Sequence, residues 1–260
     1  MPIPISPSAP APFMASSRLL LLSFFVLSVS YRTTSAAVAS SDSASKVSVA
    51  LYYETLCPYS ANFIVNYLAK LFENGLISIV DLELVPYGNA RIRNGTISCQ
   101  HGPYECLLNT VEACAIATWP DLNEHFSFIY CVEDLALKHK YLEWGSCFSK
   151  TGLDSLAVLE CYDNDYGKKL ELEYAAKTDA LEPPHTYVPW VVVNGQPLYE
   201  EYEDVEAYIC QAYTGKTPNA CTETSLITNR QNARTQVHVS FVDNISSRAL
   251  NNERMIRTAA

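Results

Sequence analysis

Beyond residue 40 this chain has no apolar run long enough to cross a bilayer, so no membrane-spanning helix is expected in its folded part and no stable membrane insertion. Positive charge is short as well. Eighteen Lys and Arg face 28 Asp and Glu across 260 residues, a formal charge of −10, which makes nucleic acid and anionic membrane surfaces poor partners. The third shortage is a single sulfur. In Cys57-Pro58-Tyr59-Ser60 a serine stands where a redox pair needs its second cysteine, so any thiol chemistry started at Cys57 must be completed by a thiol from elsewhere.

One apolar run does occur, near the start. Arg18 precedes Leu19-Leu20-Leu21-Leu22-Ser23-Phe24-Phe25-Val26-Leu27-Ser28-Val29, and Ala37-Val38-Ala39 offers a small-x-small cleavage site. Residues 1–39 therefore read as a secretory signal peptide whose apolar core is too short to span a membrane. Met14-Ala15-Ser16-Ser17-Arg18 is a more ordinary beginning than the proline-rich stretch before it, which makes Met14 a candidate initiator. Losing Arg18 and Arg32 with the signal takes the formal charge from −10 to about −12. The expected location is the secretory pathway, ending in a lysosome, a vacuole or the extracellular space.

An oxidising compartment changes how cysteines are read. All nine follow the expected cleavage site: Cys57, Cys99, Cys106, Cys114, Cys131, Cys147, Cys161, Cys210 and Cys221. Nine is odd, so at least one lacks an intrachain partner, and Cys57 is the natural candidate. The other eight can form four structural bridges in on the order of 100 connectivities. A Cys210–Cys221 bridge is expected, because Gly215, Pro218 and Asn219 can turn the chain back after the helix ending near Tyr213. Asn94-Gly95-Thr96 and Asn244-Ile245-Ser246 are glycosylation sequons that suit a secreted chain.

The stretch from Val47 to Phe72 organises the rest. Val47-Ser48-Val49-Ala50-Leu51-Tyr52 alternates like a strand, and Phe63, Ile64, Tyr67, Leu68, Leu71 and Phe72 recur at helical spacing. Pro58 then sits at the first helical position, where its missing N–H costs nothing. Cys57 lies just off the helix N-terminus, a place that favours thiolate over thiol. Strand, C-x-x-S turn and helix together make a thioredoxin-type redox site with one substitution. Ser60 is expected to donate a hydrogen bond to the Cys57 thiolate.

Leu76 to Val85 reads as a second strand, completing a βαβ unit, and Pro86 to Ser98 as a loop. Residues 99 to 180 turn helical and carry six cysteines, which predicts an insertion held by bridges rather than by a deep apolar core. Asp154 is a candidate helix cap, and a further helix is expected through Lys169 to Tyr174. Tyr187 to Val193 is strand-like, Asn194-Gly195 is a hairpin turn, and Pro197-Leu198-Tyr199 begins the return strand. A last helix is predicted over Tyr202 to Tyr213, and residues 222–260 as a loosely ordered polar tail. The fold class is thus α/β: a thioredoxin-like domain over residues 46–221, interrupted by a disulfide-rich helical insertion. Pro189 falls where such folds place a cis-proline facing the active cysteine. A central strand tolerates proline badly, and a cis bond beside the site supplies a reason for it.

Three stretches carry a resemblance. Cys99-Gln100-His101-Gly102-Pro103-Tyr104-Glu105-Cys106-Leu107-Leu108-Asn109 resembles the C-Q-H-G-x-x-E-C-x-x-N signature of the gamma-interferon-inducible lysosomal thiol reductases. Thr178 to His185, Tyr187-Val188-Pro189-Trp190 and Val193-Asn194-Gly195 are similar to that family's cis-proline region, and Cys210-Gln211-Ala212-Tyr213 to Cys221 to its closing segment. The resemblance covers about Lys46 to Cys221. It implies reduction of protein disulfides in an acidic endocytic compartment or outside the cell. The family's usual C-x-x-C is here Cys57-Pro58-Tyr59-Ser60, so the fold carries over and the dithiol mechanism does not. Cys57-Pro58-Tyr59 also resembles glutaredoxin sites, which can work with one cysteine.

The expected function is therefore a thiol–disulfide oxidoreductase that acts on protein or small-molecule disulfides through Cys57, with small thiols as reductant and cysteine-containing proteins as partners. Two alternatives stay open: a binding module that holds such clients without turnover, and an inactive structural protein. No cofactor is expected. Cys99, His101, Cys106 and Cys114 could be drawn as a zinc site, but their spacing is not a usual ligand pattern. His101 and His185 read as structural hydrogen-bonding residues.

Overall fold

The computed structural model describes residues 45–222. The expected signal peptide, the Asn244 sequon and the tail beyond Thr222 lie outside them. β1 (Val47–Tyr53) is followed by a helical stretch in three parts: α1 (Pro58–Phe63), a π turn over Ile64–Leu68, and α2 (Ala69–Glu73). A 3₁₀ turn at Leu76–Ile79 then leads into β2 (Val80–Pro86). The second strand thus starts four residues later than the apolar pattern suggests. Gly75, at φ +80°, ends the helix and the chain makes one tight turn before extending.

β3 (Arg91–Arg93) and β4 (Thr96–Ser98) form a small separate hairpin inside the expected loop. Its turn is Asn94-Gly95, both residues at positive φ. The insertion follows as α3 (Pro103–Thr118), α4 (Leu122–Leu137), α5 (Ser146–Thr151), α6 (Leu156–Asp163) and α7 (Asp165–Asp179). The Asp154 side chain accepts from Leu156 N–H at 3.1 Å, as a residue at a helix start does. β5 (Trp190–Val193), β6 (Gln196–Pro197), a 3₁₀ stretch at Tyr199–Asp204 and α8 (Val205–Ala212) complete the described chain.

The main sheet has the order β2-β1-β5-β6. β1 runs parallel to β2 from Val47↔Val80 to Tyr53↔Pro86, and antiparallel to β5 from Val49↔Val193 to Tyr52↔Trp190. A βαβ unit joined to a ββα unit through a central β1 is the thioredoxin-like topology. The period-two rule assigns the faces of β1. Val47, Val49, Leu51 and Tyr53 pack with Phe63, Ile64, Leu68, Leu71, Val205 and Ile209 on one side. Tyr52 points the other way, against Val85 and Trp190.

The insertion is better filled than its cysteine density suggests. Leu108, Val111, Phe128, Val132, Leu135 and Val158 form an apolar core of their own, with the Cys114, Cys147 and Cys161 sulfurs inside it. Four bridges join Cys99–Cys106, Cys114–Cys161, Cys131–Cys147 and Cys210–Cys221. The expectation of bridges in place of a core is therefore corrected to bridges within one. Helices α3, α4, α6 and α7 pack around their own apolar stripe, and the cysteines are part of it.

Candidate active site

Cys57 is the N-cap of α1, with Pro58 at the first helical position. Among the described residues it is the cysteine left without a disulfide. It is only 6% exposed, and its Sγ lies 4.0 Å from the carbonyl oxygen of Val188. The Val188–Pro189 bond is cis. Sheet register explains the meeting: Trp190 pairs with Tyr52, so the residues just before β5 face the turn just after β1. Tyr59 stands 67% exposed beside the buried thiol. The structure thus brings Cys57 and the Val188–Pro189 segment together.

Ser60 lies in the first turn of α1, buried. Its Oγ has no hydrogen-bond partner among the described residues, so the expected bond to Cys57 is not made. The Cys57 sulfur points to the Val188 carbonyl instead.

Leu56, immediately before Cys57, has φ +63°. That conformation costs a side-chain-bearing residue about 1–2 kcal/mol and persists only where its surroundings enforce it. The signature stretch supplies the enforcement. Thr55 N–H donates to Asn109 Oδ1 at 2.9 Å, and Thr55 Oγ1 donates to the Glu105 carbonyl at 3.1 Å. Glu54 accepts from Asn89 N–H at 2.6 Å, and its other oxygen lies 3.5 Å from His101 Nδ1. Glu105 reaches back from α3 to accept from the N–H groups of Gln100 at 3.1 Å and His101 at 2.6 Å, and its Oε2 is 2.6 Å from His101 Nδ1. Gly88, at φ +57°, passes so close that a Cβ there would sit 2.5 Å from Glu54 Oε2. These contacts make a latch that clamps Glu54 and Thr55 and hence the turn that presents Cys57.

The same geometry answers the zinc question. Cys99 is bonded to Cys106 and Cys114 to Cys161, so the drawn site has no thiolates. Glu54, His101 and Glu105 do bring ligand atoms within 4.8 Å of one another. Their atoms are already engaged with backbone N–H groups and with each other, which makes the trio structural. His185 is half-buried, and burial followed by nearby Arg91 holds its pKa below the usual histidine range.

Beneath the site lies a group of acids that the sequence patterns did not single out. Glu112 of α3 and Glu133 of α4 are fully buried, and Tyr53 Oη donates to Glu112 Oε2 at 2.6 Å. Burial pushes the Glu112 carboxyl up to about 8. Burial, then neighbouring Glu112 and Cys57, raises Glu133 well above the carboxylate range. Both therefore favour the protonated form. The sequence signal is slight: Glu112 stands between Val111 and Ala113, whereas Glu133 is followed at once by Asp134 and looks like one of an exposed acidic pair.

Asn94, the candidate glycosylation residue, is exposed on the β3–β4 turn. No helix among the described residues is long and apolar enough to cross a membrane.

A family model described as gamma interferon inducible lysosomal thiol reductase matches residues 48–151. A gamma-interferon-responsive lysosomal thiol protein of Arabidopsis thaliana is 42% identical over 88% of this chain and 98% of its own length. Gamma-interferon-inducible lysosomal thiol reductases of Carassius auratus and Mus musculus are each 40% identical, over 68% and 67% of this chain and 73% and 71% of theirs. Among solved structures, the reduced form of a disulfide bond oxidoreductase from Mycobacterium tuberculosis aligns over 69% of this chain and 83% of that one, at 17% identity and a TM-score of 0.48. With its full-length relative, its signature latch and its single free thiol at a thioredoxin-like helix start, the chain belongs to the gamma-interferon-inducible lysosomal thiol reductase family and is a thiol–disulfide oxidoreductase.

Proposed function

We propose that this oxidoreductase works through Cys57 alone and finishes its cycle with a small external thiol. The Cys57 thiolate attacks one sulfur of a client disulfide. A Cys57–client mixed disulfide forms, and the other client sulfur leaves as a thiolate that takes up a proton. An external thiolate then attacks the Cys57 sulfur, releasing the client's second thiol, and a second external thiol restores Cys57 and departs as the oxidised small disulfide. Two electrons pass from two small thiols to one client disulfide. Ser60 takes no electrons, and Pro189 positions the Val188 carbonyl against the thiol. The observation that carries this reading is the unpaired Cys57 sulfur, 4.0 Å from that carbonyl.

The compartment belongs to the same proposal. The relatives are named lysosomal, the first 39 residues read as a secretory signal, and the buried Glu112 and Glu133 are held most easily in their protonated form. These support a lysosomal or vacuolar setting, with Asn94 glycosylated on the way.

The test is turnover of a disulfide client, such as insulin, with glutathione as sole reductant. Reduction is expected from the native protein and none from Cys57→Ala. A client that is trapped on Cys57 and never released would favour the non-turnover binding module, to which the Ser60 hydroxyl lends its own support. No trapped client at all would leave a structural role.

A further inference from the structure

A cavity of about 600 Å³ opens beside the cis-proline segment, lined by Arg91, Arg93, Gln100, Ser98, Thr186 and Tyr187 among others. Among the described residues no acidic side chain lines it. Arg91 and Arg93 are the only arginines in residues 45–222 of a strongly acidic chain, and the hairpin β3–β4 carries both to this one place. Arg91 spends a single donor, on the Ala90 carbonyl at 3.0 Å. Neither guanidinium forms an ion pair with a carboxylate among the described residues. Two guanidinium groups in one cavity, with most of their donors unspent, are suited to carboxylate, which guanidinium binds in a bidentate way that lysine cannot match.

The cavity also lies within reach of the reacting sulfur. Thr186 and Tyr187 form part of its wall, and Val188, the next residue, touches Cys57 Sγ with its carbonyl. A residue of extended chain spans about 3.3–3.6 Å, so a cysteine one or two residues from a free carboxylate can bond Cys57 while that carboxylate occupies the cavity. The Gln100 backbone is tied to Glu105 by its N–H, so the main chain along one wall is fixed.

We propose that this cavity is the docking site for a carboxylate-bearing peptide thiol of the glutathione type, the external reductant that Ser60 makes necessary. The proposal rests on the single-cysteine cycle for its purpose, but the binding itself does not need Cys57 to react. Its first test is therefore non-covalent: titration of the full protein with S-methylglutathione, followed by calorimetry or amide shifts. Saturable binding is expected, weakened about tenfold or more in Arg91→Gln/Arg93→Gln, as loss of charge-assisted bonds predicts, and weakened by salt. No binding, or binding that the double variant leaves unchanged, overturns the proposal whether or not Cys57 turns over.

The second test compares release of a preformed Cys57 mixed disulfide by glutathione and by cysteamine, which has no carboxylate. The ratio of the two rates should fall about tenfold in the double variant. An unchanged ratio overturns the proposal. So does a variant that binds S-methylglutathione normally yet forms mixed disulfides more slowly with an acidic client peptide, since the cavity would then serve client carboxylates.

Discussion

The Asn109 side chain accepts a hydrogen bond from the Thr55 N–H at 2.9 Å, tying the last asparagine of the signature stretch to the residue two before Cys57. The signature's cysteines close a bridge, its glutamate binds the N–H groups of the preceding turn, and its histidine lies between two buried carboxyls. The sulfur's hydrogen-bond contact is with Val188 and not with a side chain of the signature. It acts on the reaction by holding the backbone that carries Cys57.

Asn109→Ala should leave the buried Thr55 N–H unpaired, at a cost of about 1–3 kcal/mol. The left-handed Leu56 turn then loses a restraint, and Cys57 alkylation by iodoacetamide should change in rate as well. Urea unfolding reads the first effect and alkylation of folded protein the second. A stability loss with no change at Cys57 would separate the latch from the site.

Gly88→Ala tests the same latch from the other side. The new Cβ meets Glu54 Oε2 at 2.5 Å, at φ +57°, so conformation alone costs about 1–2 kcal/mol and Glu54 must also move. A lowered melting temperature is expected. A variant as stable as the native protein would mean that the Glu54 clamp is dispensable.

Stability should rise as pH falls from 8 towards 6.5. A buried carboxyl whose folded pKa stands above its unfolded value binds more protons when folded, so its contribution is complete below the unfolded pKa and is lost as pH climbs. For Glu112 that window runs from the ordinary carboxylate range to about 8, and Glu171, raised by burial to about 7, acts in the same direction. His125 and His185, both lowered chiefly by burial, oppose it below about 6.5 because they fold as neutral rings. Urea midpoints across this range should therefore increase towards 6.5, and Glu112→Gln should flatten the slope. A midpoint that climbs with pH would contradict the protonated state of the buried pair.

Ser60→Cys should convert the protein into a dithiol reductase. A thiol in the first turn of α1 resolves the Cys57 mixed disulfide from within, and well-oriented reactions of this kind reach effective molarities of about 10⁵ M or more. Insulin reduction with dithiothreitol should accelerate while trapped mixed disulfide disappears. If the new pair forms its disulfide and reduction does not improve, client access rather than resolution limits the native protein.

The features legible in the sequence are those set by neighbours along the chain. Val47 to Phe72 declares strand, turn and helix by periodicity, and Asn194-Gly195 adopts the two positive φ angles of a tight hairpin turn. Cys210 and Cys221 are eleven residues apart with a turn between them. An odd cysteine count, with Ser60 in the place of a second cysteine, singles out Cys57 as the unpaired sulfur. The same dipeptide at Asn94-Gly95 is a weaker signal, because the three-residue strands beside it, exposed but for half-buried Ile97, are too short to show alternation.

What only the tertiary structure decided depends on elements far apart in sequence. Cys114 and Cys161 meet because α3 and α6 pack on a shared apolar core, and no local pattern ranks that bridge above its alternatives. Glu112 and Glu133 come to lie beneath Cys57 because α3 and α4 close over the end of β1. Their burial, and hence their protonation, is a property of that packing and not of glutamate. Arg91 and Arg93 are ordinary surface residues by composition. The hairpin that carries them against the cis-proline segment makes them a pair facing one cavity, because charge acquires a partner only once the chain has fixed the distance.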